Sequence, residues 1–358
     1  MGFPFLIGSA RKQDQLVAVD LGSRTTKAVH VQRKGETIVL TRYALLDAPI
    51  YEKSFSVDLL SEHLKAVSKS LDARTKRLVL AIGVTDVVVR HADMPTIPVS
   101  DMRQILKNNS KTYLQQELPN YVFDCHILAS SHSAKGREPT KGVSTTVPKQ
   151  KVLVCGAKQQ LMDDLQAAAQ GSGFVSEAIV PGLVAPVNAF ERAMPELFSK
   201  EAVALIDIGF RNSTICVLEE GELSLNRVVA IGGDKLTAGL AEAMGISYAE
   251  AEGIKLGMPQ EVRAQLEALV VPLGRELRAL IDFFEHQRDR QVTHVFVSGG
   301  SARSDVILEI LQTELMVECK RWNPACFLQQ ALPSDQVAEM EQVGPQLAVA
   351  IGACASVF

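Results

Sequence analysis

Two short runs in this sequence carry residue types that hold phosphate. The first is Asp20-Leu21-Gly22-Ser23-Arg24-Thr25-Thr26. The second is Asp207-Ile208-Gly209-Phe210-Arg211-Asn212-Ser213, 187 residues further on. Each follows a short apolar run, LVAV or VALI. A strand ending in a tight turn of glycine and hydroxyl residues exposes backbone N–H groups and short donors, and the glycine lets the backbone approach closely. Such a turn cradles phosphate oxygens. An aspartate at each strand end supplies carboxylates for the waters of Mg²⁺, which takes one or two carboxylates beside phosphate. Two such loops facing each other across a cleft would hold a nucleotide tail from both sides. One Asp-x-Gly is a common turn and says little. Two copies, each at a strand end and each followed by hydroxyls and a second strand, say more.

A third piece lies at Val295-Phe-Val-Ser-Gly299-Gly300-Ser-Ala. A Gly-Gly turn at a strand end, opening a helix, leaves room for a flat adenine or a ribose against the backbone.

The elements that must position these residues read as follows. Residues 16–22, 25–32 and TIVLTRYAL (37–45) are three strands joined by tight turns, an antiparallel meander. Residues 57–72 have a helical period, with Leu59, Leu60, Leu64, Val67 and Leu71 on one face. Strands follow at 77–83 and 87–94, then a helix over 101–117 ended by Pro119, then the strand YVFDCHIL. Residues 130–150 are polar, basic and rich in Gly, Pro, Ser and Thr, and read as a long loop. KVLVCGA (151–157) is a strand and DDLQAAAQGSG the end of a helix. From 203 the opening pattern returns, with Arg24 against Arg211, Thr25 against Asn212 and Thr26 against Ser213. Residues 236–290 are largely helical, 294–311 read strand, turn, helix, and the chain closes on the helix QLAVAIGACASV. The order strand, strand, strand, helix, strand is not the βαβ alternation of a dinucleotide fold, and no G-x-G-x-x-G follows the first strand.

Composition removes whole classes. At 358 residues with 47% apolar and 22% charged, the chain holds about two domains with ample core. A net charge of −4 disfavours nucleic-acid binding driven by bulk charge. Six cysteines without a C-x-x-C pair read as reduced thiols of a cytosolic protein. No run approaches a membrane span, and Met1–Ala10 is too short for a signal peptide.

The order of VAVDLGSRTTKAV, ALIDIGFRNSTICV, IGGDKLT, AEGIKLG and VFVSGGSA resembles the actin-like ATPase superfamily. Within it, the FtsA and PilM branch is nearest, PilM being a cytoplasmic component of type IV pilus assembly. The resemblance covers nearly the whole chain. It implies an α/β, two-lobed actin-like ATPase fold, made of duplicated ribonuclease H-like domains with small inserted subdomains. ATP and Mg²⁺ would lie in the cleft. Asp20 and Asp207 would orient metal waters, and Gly22, Ser23, Arg24, Thr25, Thr26, Gly209, Arg211, Asn212 and Ser213 would hold phosphates. Gly232 and Gly233 would border phosphates and ribose, Glu252 and Lys255 would flank the adenosine, and Gly299 and Gly300 would form its turn. From spacing alone, Glu252 and Lys255 read equally as a solvated helix pair.

The implied division is 1–95 plus 151–200 for the first lobe and 96–150 for an inserted subdomain that docks a partner. Residues 201–235 plus 291–358 form the second lobe, and 236–290 a helical subdomain. The implied partner is the cytoplasmic tail of an inner-membrane PilN-type protein, which would place the chain in the cytoplasm at the inner membrane. Tyr121–Leu128 offers an edge for it, with Lys135, Arg137, Lys141, Lys149 and Lys151 giving a basic rim. Two departures point to weak or absent hydrolysis. Val180 stands before Pro181 where related sequences often have Glu, with Glu177 and Asn188 as substitutes, and Phe210 is bulky for a phosphate turn. An FtsA- or MreB-like filament protein and a small-molecule kinase remain alternatives. FtsA continues into an amphipathic membrane helix, whereas this sequence stops after the closing helix. Self-association is left open.

Overall fold

The computed structural model describes residues 14–50, 55–128 and 148–358. The chain begins with the expected meander, β1 (Gln15–Asp20), β2 (Thr25–Lys34) and β3 (Thr37–Asp47), followed by α1 (Val57–Ser70) and β4 (Arg77–Ile82). Then come β5 (Val87–Pro95), α2 (Val99–Leu114), β6 (Tyr121–Ile127), β7 (Lys149–Lys158), α3 (Gln159–Gly171), β8 (Val175–Pro181), α4 (Ala185–Ala193) and α5 (Pro195–Lys200). The second half holds β9 (Ala202–Ile208), β10 (Ser213–Glu219), β11 (Glu222–Val229), α6 (Gly233–Met244), α7 (Tyr248–Gly257) and α8 (Arg263–Arg288). It ends with β12 (His294–Ser298), α9 (Asp305–Leu315), β13 (Cys319–Arg321), β14 (Gln329–Gln330), α10 (Ser334–Val343) and α11 (Ala348–Ala355).

Two separate sheets repeat one topology. The first has the order β14-β3-β2-β1-β4-β8 and the second β11-β10-β9-β12-β13. In each, the opening strand pairs antiparallel with the next and parallel with the strand that follows the helices. The strand core is apolar on both faces, as sheets covered on both sides require. Val17 and Val19 pack outward on α1 and α3, while Leu16 and Ala18 face inward on α4 and α11. In the second sheet Val203 and Leu205 face the same inner helices, and Ala204 and Ile206 meet α8 and α9. The result is five layers: helices, sheet, helices, sheet, helices. A short strand with this pleat buries alternate residues on opposite faces, so both Asp-x-Gly corners emerge at the same end of their sheets.

The small sheet has the order β5-β7-β6 and buries Met94, Val152, Val154 and Cys125 against Met102 and Leu106 of α2. It takes β5 from 87–95 and most of β7 from 151–158, outside the 96–150 expected for the insertion. Likewise β14 pairs with β3 of the first sheet, although 291–358 was expected in the second lobe. Helix α2 stops at Leu114, before Pro119, because Gln115 takes a left-handed conformation. The 130–150 loop, with Lys135, Arg137 and Lys141, lies outside the described residues up to 147, and Lys149 and Gln150 belong to β7.

Candidate functional site

The pleat brings Asp20 and Lys27 directly opposite each other on β1 and β2. Lys27 Nζ donates to Asp20 Oδ2 at 2.9 Å. Burial pulls the Lys27 ammonium down, but Asp20 and then Asp207 outweigh it and hold it above the ordinary lysine value. Gly22 makes room: a Cβ there would stand 2.4 Å from the Thr25 carbonyl and 2.8 Å from Lys27 Nζ. Asp207 accepts from Ser298 Oγ at 2.9 Å. Burial raises its pKa, with Lys27 and the Ser298 bond opposing. Sequence reading missed Lys27, which looks like one more polar residue in a strand. The signal was its place at the seventh position after Asp20, which the four-residue connection Leu21–Arg24 sets across the ladder.

The second loop closes on itself and on the next segment. Gly209 N–H donates to the Asn212 carbonyl at 3.1 Å, Gly233 N–H to the Gly209 carbonyl at 2.9 Å, and Asp234 N–H to the Phe210 carbonyl at 2.8 Å. Gly232 and Gly233 thus sit directly on the loop. Gly299 adopts φ +93°, and a Cβ there would stand 2.4 Å from the Ile208 carbonyl. The following turn brings Ser301 beside Gly233, and Gly300 beside Gln346.

Helix α7 is fixed by a capping box between Ser247 and Glu250. That sets Glu252 and Lys255 toward α6. Lys255 Nζ donates to the Gly233 carbonyl at 3.2 Å, Thr237 Oγ1 at 2.5 Å and Glu252 Oε2 at 2.7 Å. Its three protons are all used, and the residue is 5% exposed, so the pair is not a solvated one. Burial lowers the Lys255 pKa against the pull of Glu252. Burial works against ionised Glu252 too, but bonds from Lys255 and Thr237 take its pKa below the ordinary value. Arg24 then crosses from the first loop: Nη1 donates to Glu252 Oε1 at 3.2 Å, and the guanidinium lies 5.0 Å from the centre of the Phe210 ring. The bulk of Phe210 in the second loop gives Arg24 a surface to stack on.

Most expected residues therefore converge at the facing ends of the two sheets. Ser23 and Arg211 are exposed on the loops, and Thr25 follows the turn. Thr26 and Ser213 turn away. Thr26 is fully buried, its Oγ1 2.8 Å from His63 Nε2 of α1. Ser213 Oγ donates to the Ile231 carbonyl at 2.6 Å. Both hydroxyls belong to the face opposite the cleft.

Of the residues weighed for positioning water, Val180 is fully buried. Glu177 forms a two-pronged ion pair with Arg77, with Nε to Oε1 and Nη2 to Oε2 both 2.6 Å. Asn188 is buried in α4 and donates to the Gly352 carbonyl at 3.5 Å. A separate concavity of about 500 Å³ lies beneath α4 and the C-terminal residues, away from both loops. For Mg²⁺, Asp20 and Asp207 each spend one oxygen in the bonds above, and two carboxylates beside phosphate suit that ion. Among the described residues, no group of three or more His, Cys, Asp or Glu is placed to hold a metal by itself.

Comparison with known proteins agrees with this geometry. A family model described as "Type IV pilus assembly protein PilM" matches residues 18–356. The cell division protein FtsA of Bacillus subtilis (strain 168) is 22% identical over 259 residues, 67% of this chain and 57% of FtsA, so the match spans little more than half of that relative. A solved PilM–PilN type IV pilus biogenesis complex superposes with a TM-score of 0.78 at 20% identity, covering 96% of this chain and 98% of that one. MreB 5 of Spiroplasma citri bound to AMPPNP superposes with a TM-score of 0.50 at 11% identity, each chain covered to 96%. The fold is that of the actin-like ATPases.

Proposed function

This chain belongs to the PilM family of type IV pilus assembly proteins, and from that premise we propose a nucleotide-binding scaffold of the assembly machine. It docks the cytoplasmic tail of an inner-membrane PilN-type partner and hydrolyses ATP weakly or not at all. The observation that carries this reading is a family match that runs through both Asp-x-Gly loops and the small sheet alike.

In this reading ATP lies between the lobes. Backbone N–H groups of 22–25 and 210–212 hold its phosphates, Gly232 and Gly233 border the ribose, and Glu252, Lys255, Gly299 and Gly300 frame the adenosine. Mg²⁺, when bound, neutralises phosphate charge beside Asp20 and Asp207. Hydrolysis needs an oriented water as well as charge stabilisation; buried Val180 has no polar group, Glu177 is held by Arg77, and Asn188 lines the concavity beneath α4, away from both loops. The output is then binding rather than turnover.

In this reading the docking unit is widened to 87–158, so that it includes β5 and β7, and β14 joins the first lobe. Strand β6 pairs on one side with β7 and forms the sheet's edge on the other. An extended tail would add to that edge by main-chain hydrogen bonds, with side chains in alternate pockets. Ile127 is 42% exposed there, and Lys149 and Lys151 lie on the neighbouring strand. Membrane association comes through the partner, and no helix among the described residues is long and apolar enough to cross a membrane. Excising residues 98–148 and bridging the gap should abolish capture of the partner's tail in a pull-down while both lobes stay folded. Capture by the folded truncation would move the docking site elsewhere.

A further inference from the structure

Away from the Asp-x-Gly corners, each large sheet ends in a hairpin tip and in the connection from a helix to the next parallel strand. In the second lobe these two parts answer each other. Glu219 and Glu222 close the β10–β11 hairpin. Arg288 Nε lies 3.4 Å from Glu219 Oε2, and Arg290 Nη1 lies 3.1 Å from Glu220 Oε1. In the first lobe Lys34 and Thr37 close the β2–β3 hairpin. The last turn of α1 and the connection to β4 carry Lys69, Arg74 and Lys76. Cations therefore stand on both parts. Lys34, Lys69, Arg74 and Lys76 are exposed, and none of them makes an ion pair among the described residues. The carboxylates nearby are Asp14, Glu36 and Asp72, and Asp72 lies 3.7 Å from Arg42. A cation at a helix C-terminus accounts for Lys69, and for none of the other three.

Backbone bonds join these parts into one face. Arg33 N–H donates to the Asp14 carbonyl at 2.7 Å, and Thr75 Oγ1 to the Gln15 carbonyl at 3.1 Å. Val175 N–H donates to the Lys76 carbonyl at 2.6 Å, and the Val175 side chain is exposed. From the hairpin across β1 to β4 the face spans about 12 Å at the usual strand spacing, too far for one small anion to answer every cation. Residues 1–13 join the fold at Asp14, on this same face. Their sequence runs Phe3-Pro4-Phe5-Leu6-Ile7 and then Arg11-Lys12. An apolar run followed by cations is the composition of an interfacial anchor. Its apolar part enters the acyl boundary while its cations stay with the headgroups. A nucleic acid would use the cations and leave the apolar run without a role.

We infer that the hairpin end of the first lobe is a docking surface for anionic phospholipid headgroups, with residues 1–13 adding the apolar contact. The chain then meets the membrane directly as well as through a partner. This inference stands apart from the partner and nucleotide readings, because its test contains neither.

The full chain alone is floated with phosphatidylglycerol–phosphatidylethanolamine vesicles and, separately, with phosphatidylcholine vesicles. It should rise with the first and stay behind with the second, and salt should weaken the binding. Each cation at an anionic surface contributes about fivefold, so Arg74→Gln/Lys76→Gln should bind about tenfold or more weakly. Lys107→Gln/Lys111→Gln makes the same charge change at exposed positions of α2 and should stay within about twofold of wild type. Removing residues 1–13 should abolish the part of the binding that survives high salt. No rise with either vesicle, an equal rise with both, or equal losses in the two paired variants would overturn the inference. Duplex DNA that displaced the vesicles and depended equally on Arg74 and Lys76 would give the face to a nucleic acid instead.

Discussion

The two Asp-x-Gly corners are built on one plan and end in different chemistry. Asp20 and Asp207 each close the central strand of a sheet. Each faces one residue across an antiparallel ladder and one across a parallel ladder. For Asp20 these are Lys27 and Ala81. For Asp207 they are Thr214 and Ser298. The first lobe thus brings an ammonium to its carboxylate, and the second a hydroxyl. One residue into the next turn, Ser23 stands against Phe210, and Phe210 is the ring that Arg24 covers. On the opposite face the copies agree, since Thr26 and Ser213 are both buried hydroxyls bonded within their own lobe. The rungs beside the two aspartates differ, while Arg24 and Arg211 are alike although Arg24 reaches Glu252 of the other lobe.

The sharpest way to break this comparison is to remove the two unlike residues in turn. Lys27→Met leaves Asp20 without its partner in a mostly buried setting, and stranding one member of such a pair costs about 3 kcal/mol. Thr214→Val removes a hydroxyl from the equivalent rung and should cost at most about 1.5 kcal/mol, the net contribution of one hydrogen bond. Urea denaturation of both variants measures the difference. Equal losses would mean that the lobes do not differ in charge compensation at all.

A smaller effect separates the turns that follow the parallel neighbours. Gly299 has φ +93°, and its Cβ would press on the Ile208 backbone at 2.4 Å. Gly299→Ala should cost about 2 to 3 kcal/mol through strain and the backbone shift. Gly83 opens the turn after β4, with a negative φ. Its Cβ would meet only the end of the Asp86 side chain, at 2.6 Å, which can rotate away. Gly83→Ala should therefore cost under about 1 kcal/mol. Thermal unfolding of the pair tests whether the second corner alone depends on a left-handed glycine.

What the sequence disclosed follows from how local each feature is. The duplication was readable because strand, turn and strand are contiguous, so Asp20 and Asp207 carry their context with them. Lys27 was missed because its role appears only in register with Asp20. The burial of Lys255 depends on Thr237 and Gly233, eighteen and twenty-two residues away. The bond from Arg24 to Glu252 spans most of the chain between the lobes. The small sheet was drawn too narrow because β5 pairs with a strand more than fifty residues later, and nothing in Val87–Pro95 distinguishes that partner from β4. Glu177 looked available for water because Arg77, its partner, lies one hundred residues earlier.

The smallest expected difference between the halves concerns pH. His30, His63, His91 and His126 all lie in the first half, and burial holds each below the ordinary histidine value of 6.5. Three of the imidazoles have a specific reason to stay neutral or a specific bond at stake. His30 Nδ1 is 2.7 Å from Thr41 Oγ1, while its buried Nε2 has no partner among the described residues, so a second proton there would be stranded. His63 holds Thr26, and His91 Nε2–H donates to the Leu223 carbonyl at 2.8 Å, tying β5 to β11. A histidine whose folded pKa is lowered binds protons more readily when unfolded. Its contribution is fully present above 6.5 and is lost as pH falls through the folded value. The second half offers His286, which is exposed, and His294, which is half-buried. Acid should therefore loosen the first lobe and the β5–β11 contact before the second lobe. Hydrogen exchange at about pH 5 against about pH 7.5 should show protection lost first in β2, α1 and β5. His91→Gln keeps a donor for the Leu223 carbonyl without a titrating proton, and should recover part of the acid loss. If strands β9 and β10 exchanged first, the lobes would not divide by their histidines, and the acid response would have to come from the carboxylates of the cleft.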